Sequence, residues 1–258
     1  MQQPKPWRLY ALHGFLGEPA DWNALLPAQP DLDQVAIDLY DSDLPKPKEG
    51  LWSWAEAFNS YVKRELSLLT RSCRPLLMGY SLGGRLALHA LCLDPKLWSG
   101  AILISSHGGL ASLQEREERL ASDESWAEAF LEEPWNQLME RWNSQSIFAG
   151  DSYAFLRSEE NLSRQKLAET LRYWSLARQD ELGPALEQLY LPILWVAGEL
   201  DGSACQRARG LELRHPLSRI WIAPQTGHRV PWSYYPPFWQ QMREFCDQIM
   251  NDCNEKET

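Results

Sequence analysis

Apolar positions along the first hundred residues come in two spacings that take turns. Short runs with few polar breaks at residues 8–12, 35–39 and 76–78 read as buried strands. Between them, residues 20–26 and 52–69 repeat their apolar positions at helical intervals. Asp21 lies near the start of the first, and Ser53 with Glu56 three residues on forms a capping signal for the second. Residues 41–50, rich in Pro, Lys and Asp, read as a loop. A helical stripe of Leu86, Ala87, Leu88, Ala90 and Leu91 follows the third run closely, and residues 101–105 form another strand candidate. Strands that alternate with helices predict a parallel sheet joined by right-handed crossovers.

The rhythm changes after Ser106. From about residue 110 to residue 189 no strand pattern recurs, only helical segments at residues 114–120, 125–131, 135–142 and 163–176. Ser122, Asp123 and Glu124 are placed to cap the second of these and Ser163 the last, while Glu115 and Arg119 have the spacing of an i,i+4 ion pair. Such a stretch is too long for a loop, so residues 107–189 are expected to form a helical cap. It interrupts a core made of residues 1–106 and 190–258. Strands return at residues 191–197 and 218–223, residues 237–250 close with a helix, and residues 251–258 read as a polar, frayed tail.

A chain of 258 residues can bury one sizeable core and still carry this insertion. The net charge of −10 argues against a nucleic-acid partner, because no basic stripe is there to neutralise phosphates. It leaves room for a small anionic substrate, which responds to local arginines more than to global charge. No apolar run approaches the ~18 residues of a membrane span, and the first seven residues lack the apolar core of a signal peptide. The cysteines (Cys73, Cys92, Cys205, Cys246 and Cys253) are scattered and odd in number, which predicts reduced thiols and a cytoplasmic protein. No metal, nucleotide or flavin signature is present, so no cofactor is expected.

The chemistry concentrates where the third apolar run meets its helix. Gly79-Tyr80-Ser81-Leu82-Gly83 is a G-x-S-x-G turn between strand and helix, the setting of a nucleophile elbow. Glycines there let strand and helix crowd together so that the Ser81 hydroxyl is presented at a helix N-terminus. A serine is a poor nucleophile or base until a histidine takes its proton and a carboxylate holds that histidine. Asp201 follows the strand at residues 191–197, and His228 follows the one at residues 218–223. Each alone would pass for a solvated loop residue; the ordered set of three points to catalysis. Asp38 also ends a strand but precedes Ser81, and ranks second for the acid. His13 is expected as a structural turn residue and His89 as a packing residue, and His215 receives no role. The backbone N–H groups of Phe15 and Leu82 are candidate donors to developing negative charge, an oxyanion hole.

His13-Gly14-Phe15, Gly79 to Gly84, Asp201 and His228 together resemble the α/β-hydrolase superfamily over nearly the whole chain. That resemblance implies an α/β fold: a mostly parallel sheet flanked by helices, with the inserted helical cap. A narrower resemblance lies in Gly79-Tyr80-Ser81-Leu82-Gly83-Gly84-Arg85, Ser106-His107-Gly108-Gly109-Leu110, Arg116, Arg119, Trp126, Trp142, Gln145 and Ser175-Leu176-Ala177-Arg178-Gln179. These are similar to the 2-succinyl-6-hydroxy-2,4-cyclohexadiene-1-carboxylate synthases of menaquinone biosynthesis. The resemblance implies a carbon–oxygen lyase in which Ser81, activated by His228, abstracts a proton and pyruvate leaves. It also implies that Arg85 and Arg119 clamp substrate carboxylates, with Arg157 as a further clamp and Tyr80 and Trp142 shaping the pocket. Guanidinium forks suit that task, since they meet carboxylates bidentately. Arg119 equally fits a solvated helix face with its glutamate neighbours, and Trp142 equally fits cap core.

Two stretches depart from that family's pattern. Leu39-Tyr40-Asp41 follows Asp38 where Pro-Gly-His-Gly is expected, and Arg229-Val230-Pro231-Trp232 follows His228 where a second histidine and a glutamate are usual. Two other readings stay open on the residues alone: a carboxylester or thioester hydrolase working through an acyl-serine, and a non-enzymatic binding protein on this fold.

Overall fold

A computed structural model of the chain describes residues 7–23, 25, 32–70 and 72–255. Its six strands are β1 (Trp7–Leu12), β2 (Leu32–Ile37), β3 (Arg74–Tyr80), β4 (Gly100–Ile104), β5 (Ile193–Gly198) and β6 (Arg219–Ala223). They pair in parallel in the order β2-β1-β3-β4-β5-β6, so every strand delivers its carboxyl end to one edge. Open α/β sheets bind ligands at that edge.

The period-two alternation of a strand explains how each face is covered. Tyr10 and Leu12 of β1 pack with Trp54, Phe58 and Leu86 of helices α2 (Gly50–Leu68) and α3 (Leu82–Leu93). Trp7, Leu9 and Ala11 pack on the opposite face with Trp22 of α1 (Ala20–Asn23) and with Phe238 and Phe245 of the closing helix Tyr235–Glu255. All six residues of β5 are buried, as a strand covered on both faces requires.

Between β4 and β5 the described residues contain no strand. They form α4 (Leu113–Glu132), α5 (Trp135–Asn143), α6 (Arg164–Tyr173), α7 (Gly183–Gln188) and short 3₁₀ turns. Phe130, Trp135, Leu138, Leu167 and Leu171 give this insert its own apolar cluster, joined to the sheet edge through Leu16. After β5 come α8 (Gly202–Arg209), then β6, α9 (Val230–Ser233) and α10 (Tyr235–Glu255). No helix among the described residues is long and apolar enough to cross a membrane.

Several boundaries differ from those the pattern predicts. β2 ends at Ile37 because the Leu39 N–H turns away from the ladder to His13 Nε2, 3.2 Å away. α2 starts at Gly50, out of a 3₁₀ turn, which leaves Ser53 inside the helix rather than at its cap. The two helices expected at residues 114–120 and 125–131 are one. Asp123 does not cap a second helix, because its carboxylate is held by Arg119 one turn earlier at 2.8 Å. The expected Glu115–Arg119 pair is therefore replaced by Arg119–Asp123. Ser163 does cap α6, accepting the Lys166 N–H at 3.3 Å. The closing helix runs through residues 251–255, so the frayed tail expected there is helical up to Glu255. The helix expected at residues 20–26 ends at Asn23, and its last positions fall partly outside the described residues, as do residues 1–6 and 256–258.

Candidate active site

Ser81 stands between β3 and α3 with φ 53° and ψ −113°. A side chain rarely tolerates that left-handed φ, and such strain persists only where its surroundings over-determine it. Here the Ser81 N–H donates to the Ile104 carbonyl at 2.8 Å, and the Ser81 carbonyl accepts the Arg85 N–H at 3.0 Å. A Cβ on Gly79 would sit 2.5 Å from the Gly83 carbonyl oxygen, and one on Gly83 would sit 2.4 Å from that of His13. Neither position admits any other residue without moving the strand off the helix.

The Ser81 hydroxyl lies 2.8 Å from His228 Nε2, and His228 Nδ1 lies 2.5 Å from Asp201 Oδ2. With Nδ1–H donating to the carboxylate, Nε2 is the acceptor that a serine proton needs. Asp201 is buried and fixed by its own cap of α8, accepting the Ala204 N–H at 3.3 Å. His228 is tethered from two sides: Ser105 Oγ donates to its carbonyl at 2.8 Å, and its own N–H donates to Ile147 of the insert at 2.9 Å. Asp38 takes no part in this line and lies beside His13, 3.7 Å from its Nε2. His13 is buried with both ring nitrogens on backbone, Nδ1 at the Gly14 carbonyl and Nε2 at the Leu39 N–H. Phe15 and Leu82 border the same cavity as Ser81. Leu82 opens α3, where the first N–H groups have no acceptor within the helix.

That cavity measures about 490 Å³, and its walls come from the sheet edge on one side and the insert on the other. Arg85 is 8% exposed. Its Nε donates to Gln179 at 2.7 Å and its Nη2 to the Trp174 carbonyl at 2.5 Å, while no carboxylate of the described residues lies within ion-pair distance. Burial, then the nearby charge of Arg119, pushes its pKa down to about 9. Arg119 is different: it is half-exposed and shares Asp123. Arg157 is different again, buried between Glu18 at 3.3 Å and Asp21 at 2.5 Å, so it ties the insert to α1. Trp142 packs edge-on or tilted against Phe15, Trp126, Phe130 and Phe148 at the cavity wall. Tyr80 lies with its ring 5.5 Å from that of His228, and burial raises its phenol well above the ordinary range.

Two further arginines border the cavity, and neither was singled out as a site residue from the sequence. Arg229, seen there only as a departure from a pattern, is buried, and burial lowers its pKa. Its guanidinium stacks 3.7 Å over Phe148 and donates to Asn143 Oδ1 at 2.5 Å and to the Tyr153 carbonyl at 3.1 Å. Its position directly after His228 was the available signal. Arg207 lies six residues beyond Asp201 on α8, on a face nothing in the pattern marked.

A family model described as alpha/beta hydrolase family matches residues 9–247. The chain belongs to the alpha/beta hydrolase family. It is 32% identical over 251 residues to the 2-succinyl-6-hydroxy-2,4-cyclohexadiene-1-carboxylate synthase of Serratia proteamaculans, covering 93% of either chain. The enzyme of the same name from Yersinia pestis is 31% identical over 239 residues, 89% of this chain and 84% of that one. Among solved structures, MenH from S. aureus superposes with a TM-score of 0.81 at 21% identity, over 96% of both chains. A thermophilic esterase from Thermogutta terrifontis superposes at 0.69 and 17% identity, over 96% of this chain and 92% of that one. At those identities the superpositions speak for the fold alone.

Proposed function

We propose that this enzyme is a carbon–oxygen lyase that eliminates pyruvate from 2-succinyl-5-enolpyruvyl-6-hydroxy-3-cyclohexene-1-carboxylate, giving 2-succinyl-6-hydroxy-2,4-cyclohexadiene-1-carboxylate in the cytoplasm. Ser81, Asp201 and His228 form the catalytic triad. His228 takes the Ser81 proton, and the serine oxygen removes the proton from the ring carbon that bears the succinyl ketone. That proton is acidic because the carbanion is an enolate, and the N–H groups of Phe15 and Leu82 receive its oxygen. The electron pair moves through the ring double bond and expels the enolpyruvyl oxygen from the next allylic carbon. The leaving oxygen takes the proton back from the His228 imidazolium as its bond to the ring breaks, the released enol of pyruvate tautomerises, and the ring keeps two conjugated double bonds. Asp201 stabilises the imidazolium while this happens.

Arg85 and Arg119 hold substrate carboxylates, and Tyr80 and Trp142 confine the ring. Arg157 has two nitrogens engaged by Glu18 and Asp21, so its share is smaller. Residues 107–189 act as the cap that excludes water from the elimination. The observation that carries the reading is Arg85: a buried guanidinium with no carboxylate partner among the described residues, bordering the cavity that holds Ser81 hydrogen-bonded to His228. A buried charge of that kind calls for an anionic ligand.

The test is a coupled assay for pyruvate on the authentic intermediate. Wild type should release pyruvate stoichiometrically, and Ser81→Ala should abolish release. The same serine and N–H pair would equally serve an acyl-serine hydrolase. A burst of p-nitrophenol from an ester, with no pyruvate from the intermediate, would establish that second reading and overturn the first.

A further inference from the structure

The run Ser175-Leu176-Ala177-Arg178-Gln179 has no part in the elimination, yet its last residue ends on Arg85. α6 stops at Tyr173, and Ser175 Oγ accepts the Ala177 N–H at 3.1 Å to start a 3₁₀ turn over Leu176–Arg178. Arg116 of α4 braces that turn, donating from Nη1 to the Ala177 carbonyl at 3.1 Å. The Trp174 carbonyl and the Gln179 side chain thereby both meet the Arg85 guanidinium, at 2.5 Å from Nη2 and 2.7 Å from Nε.

An arginine only donates and a carbonyl only accepts, so the Gln179 amide has one possible orientation. Its Oε1 takes the Arg85 Nε–H, and its Nε2 donates to the His107 carbonyl at 2.8 Å. Gln179 is fully buried and stands outside the cavity wall, so it touches a ligand only through Arg85. Arg85 does border the cavity, and its Nη1 has no acceptor among the described residues and is not sealed from solvent. Arg119 and Arg157 are held differently, by the carboxylates of Asp123 and of Glu18 with Asp21. A carboxylate at position 179 would grip Nε more strongly than the amide does, because charge-assisted hydrogen bonds are the stronger ones. It would also cancel the charge of Arg85 and turn an oxygen toward the His107 carbonyl. The amide fixes the direction of the guanidinium and leaves its charge alone.

We propose that Gln179 sets the preference of this site for anions: it is a positioning residue whose neutral acceptor aims Arg85 and keeps the positive charge for a ligand carboxylate. This rests on the reading of Arg85 as a carboxylate clamp. A guanidinium held in place in advance loses less freedom when the carboxylate arrives, so the gain falls on binding.

The test compares two probes of nearly equal size by isothermal calorimetry, 4-oxo-4-phenylbutanoate and its neutral amide. Wild type should prefer the carboxylate by about tenfold or more. Gln179→Glu, which keeps the shape and adds a charge, should lose that preference while its affinity for the amide stays within a factor of about two. Gln179→Met, which removes the acceptor without adding charge, should lower the preference several-fold and carries the test if Gln179→Glu fails to fold. In the pyruvate assay Gln179→Glu should raise KM about tenfold with kcat within a factor of about three, the signature of lost binding that is equal in ground and transition states. Equal weakening of both probes in the variants would make Gln179 a structural staple and overturn the proposal. So would a wild-type preference in folded Gln179→Glu and Gln179→Met when Arg85→Gln has lost it, and the clamp would then stand. No preference in wild type, or an undiminished one in Arg85→Gln, would overturn the clamp and the part of Gln179 with it. Absence of pyruvate release by wild type would overturn the lyase reading, and the two probes would still decide the role of Gln179.

Discussion

At the carboxyl edge of the sheet, backbone geometry places each polar group. Ser81 is held by a strained φ and two main-chain hydrogen bonds, Asp201 by the helix it caps, and His228 by the loop that leaves β6. In the insert, carboxylate side chains place several of the arginines: Asp123 holds Arg119, Glu18 and Asp21 hold Arg157, and Glu124 holds Arg172 with two hydrogen bonds from Nε and one from Nη2. Backbone placement costs no reorganisation when charge develops, which is what proton transfer needs. Side-chain placement can be re-partnered, which is what recognition of a charged ligand needs. The two kinds meet at residues 227–229. There the His228 N–H bonds the insert at Ile147, and the Arg229 N–H bonds both carboxylate oxygens of Asp151 at 3.2 and 3.0 Å.

The largest effect should come from cutting the edge itself. Ser81→Ala and His228→Ala should each lower pyruvate release by ~10³-fold or more, and the double variant should be no worse than either single one, because the residues act as a unit. Thermal unfolding of Ser81→Ala should match or exceed wild type, since alanine removes a hydroxyl but leaves the loop ties of His228 in place. Additive losses in the double variant would break the claim that the edge works as one device.

This contrast also explains what could be read from the chain. The elbow was legible because Gly79, Ser81 and Gly83 obey backbone rules that any such turn must obey. The order Ser81, Asp201, His228 was legible because each sits just past a buried apolar run. The insert was legible only as helical. Asp123 looked like a cap because aspartate caps helices, and nothing local said that Arg119 would take its carboxylate instead. Arg157 looked like a clamp, and the acids that hold it lie 139 and 136 residues away in the chain. Arg207 gave no signal at all, and His107 entered only as part of a run that resembles a family, because an unpartnered buried atom is defined by what fails to reach it in three dimensions.

The junction comes next. Arg229→Met keeps the stack on Phe148 but deletes the hydrogen bonds to Asn143 and Tyr153, so the loop carrying His228 loses its side-chain tie to the insert. We expect kcat to fall about 10- to 50-fold with KM changed far less, and Arg229→Lys to recover only part, because an ammonium cannot reproduce the fork. A steady-state analysis on the intermediate decides it. A KM defect without a kcat defect would move Arg229 from positioning the histidine to holding substrate.

Arg157→Met should act in the opposite sense, on the fold more than on the chemistry. The change leaves Asp21, only 8% exposed, without its cation, and one broken buried pair costs on the order of 1–3 kcal/mol. A drop of several degrees in Tm is expected for a domain of this size, with pyruvate release within a few-fold of wild type once the protein is folded. A large rise in KM with unchanged Tm would return Arg157 to the role of clamp and erase the difference drawn between it and Arg85.

A titration separates the two regions by pH. His89 lies in α3 behind the elbow, its Nδ1 bonded to the Arg85 carbonyl at 2.7 Å, and burial pushes its pKa down to about 4; His107, at the root of the insert, is pushed down to about 3 by burial. The unfolded value is about 6.5. Both folded values are depressed, so between about pH 6.5 and pH 4 the unfolded chain binds two protons that the folded chain refuses. Stability from these rings is therefore complete above pH 6.5 and is lost as pH falls, at roughly 1.4 kcal/mol per pH unit for each. Urea unfolding at pH 7, 6 and 5 should show that slope, and His89→Gln should remove half of it. If the insert opens by itself, the His107 half should vanish from global unfolding and appear instead in amide exchange of α4 and α6. A stability that is flat from pH 7 to pH 5 would mean that the rings take up protons in the folded protein, and that neither region keeps them as dry as their packing requires.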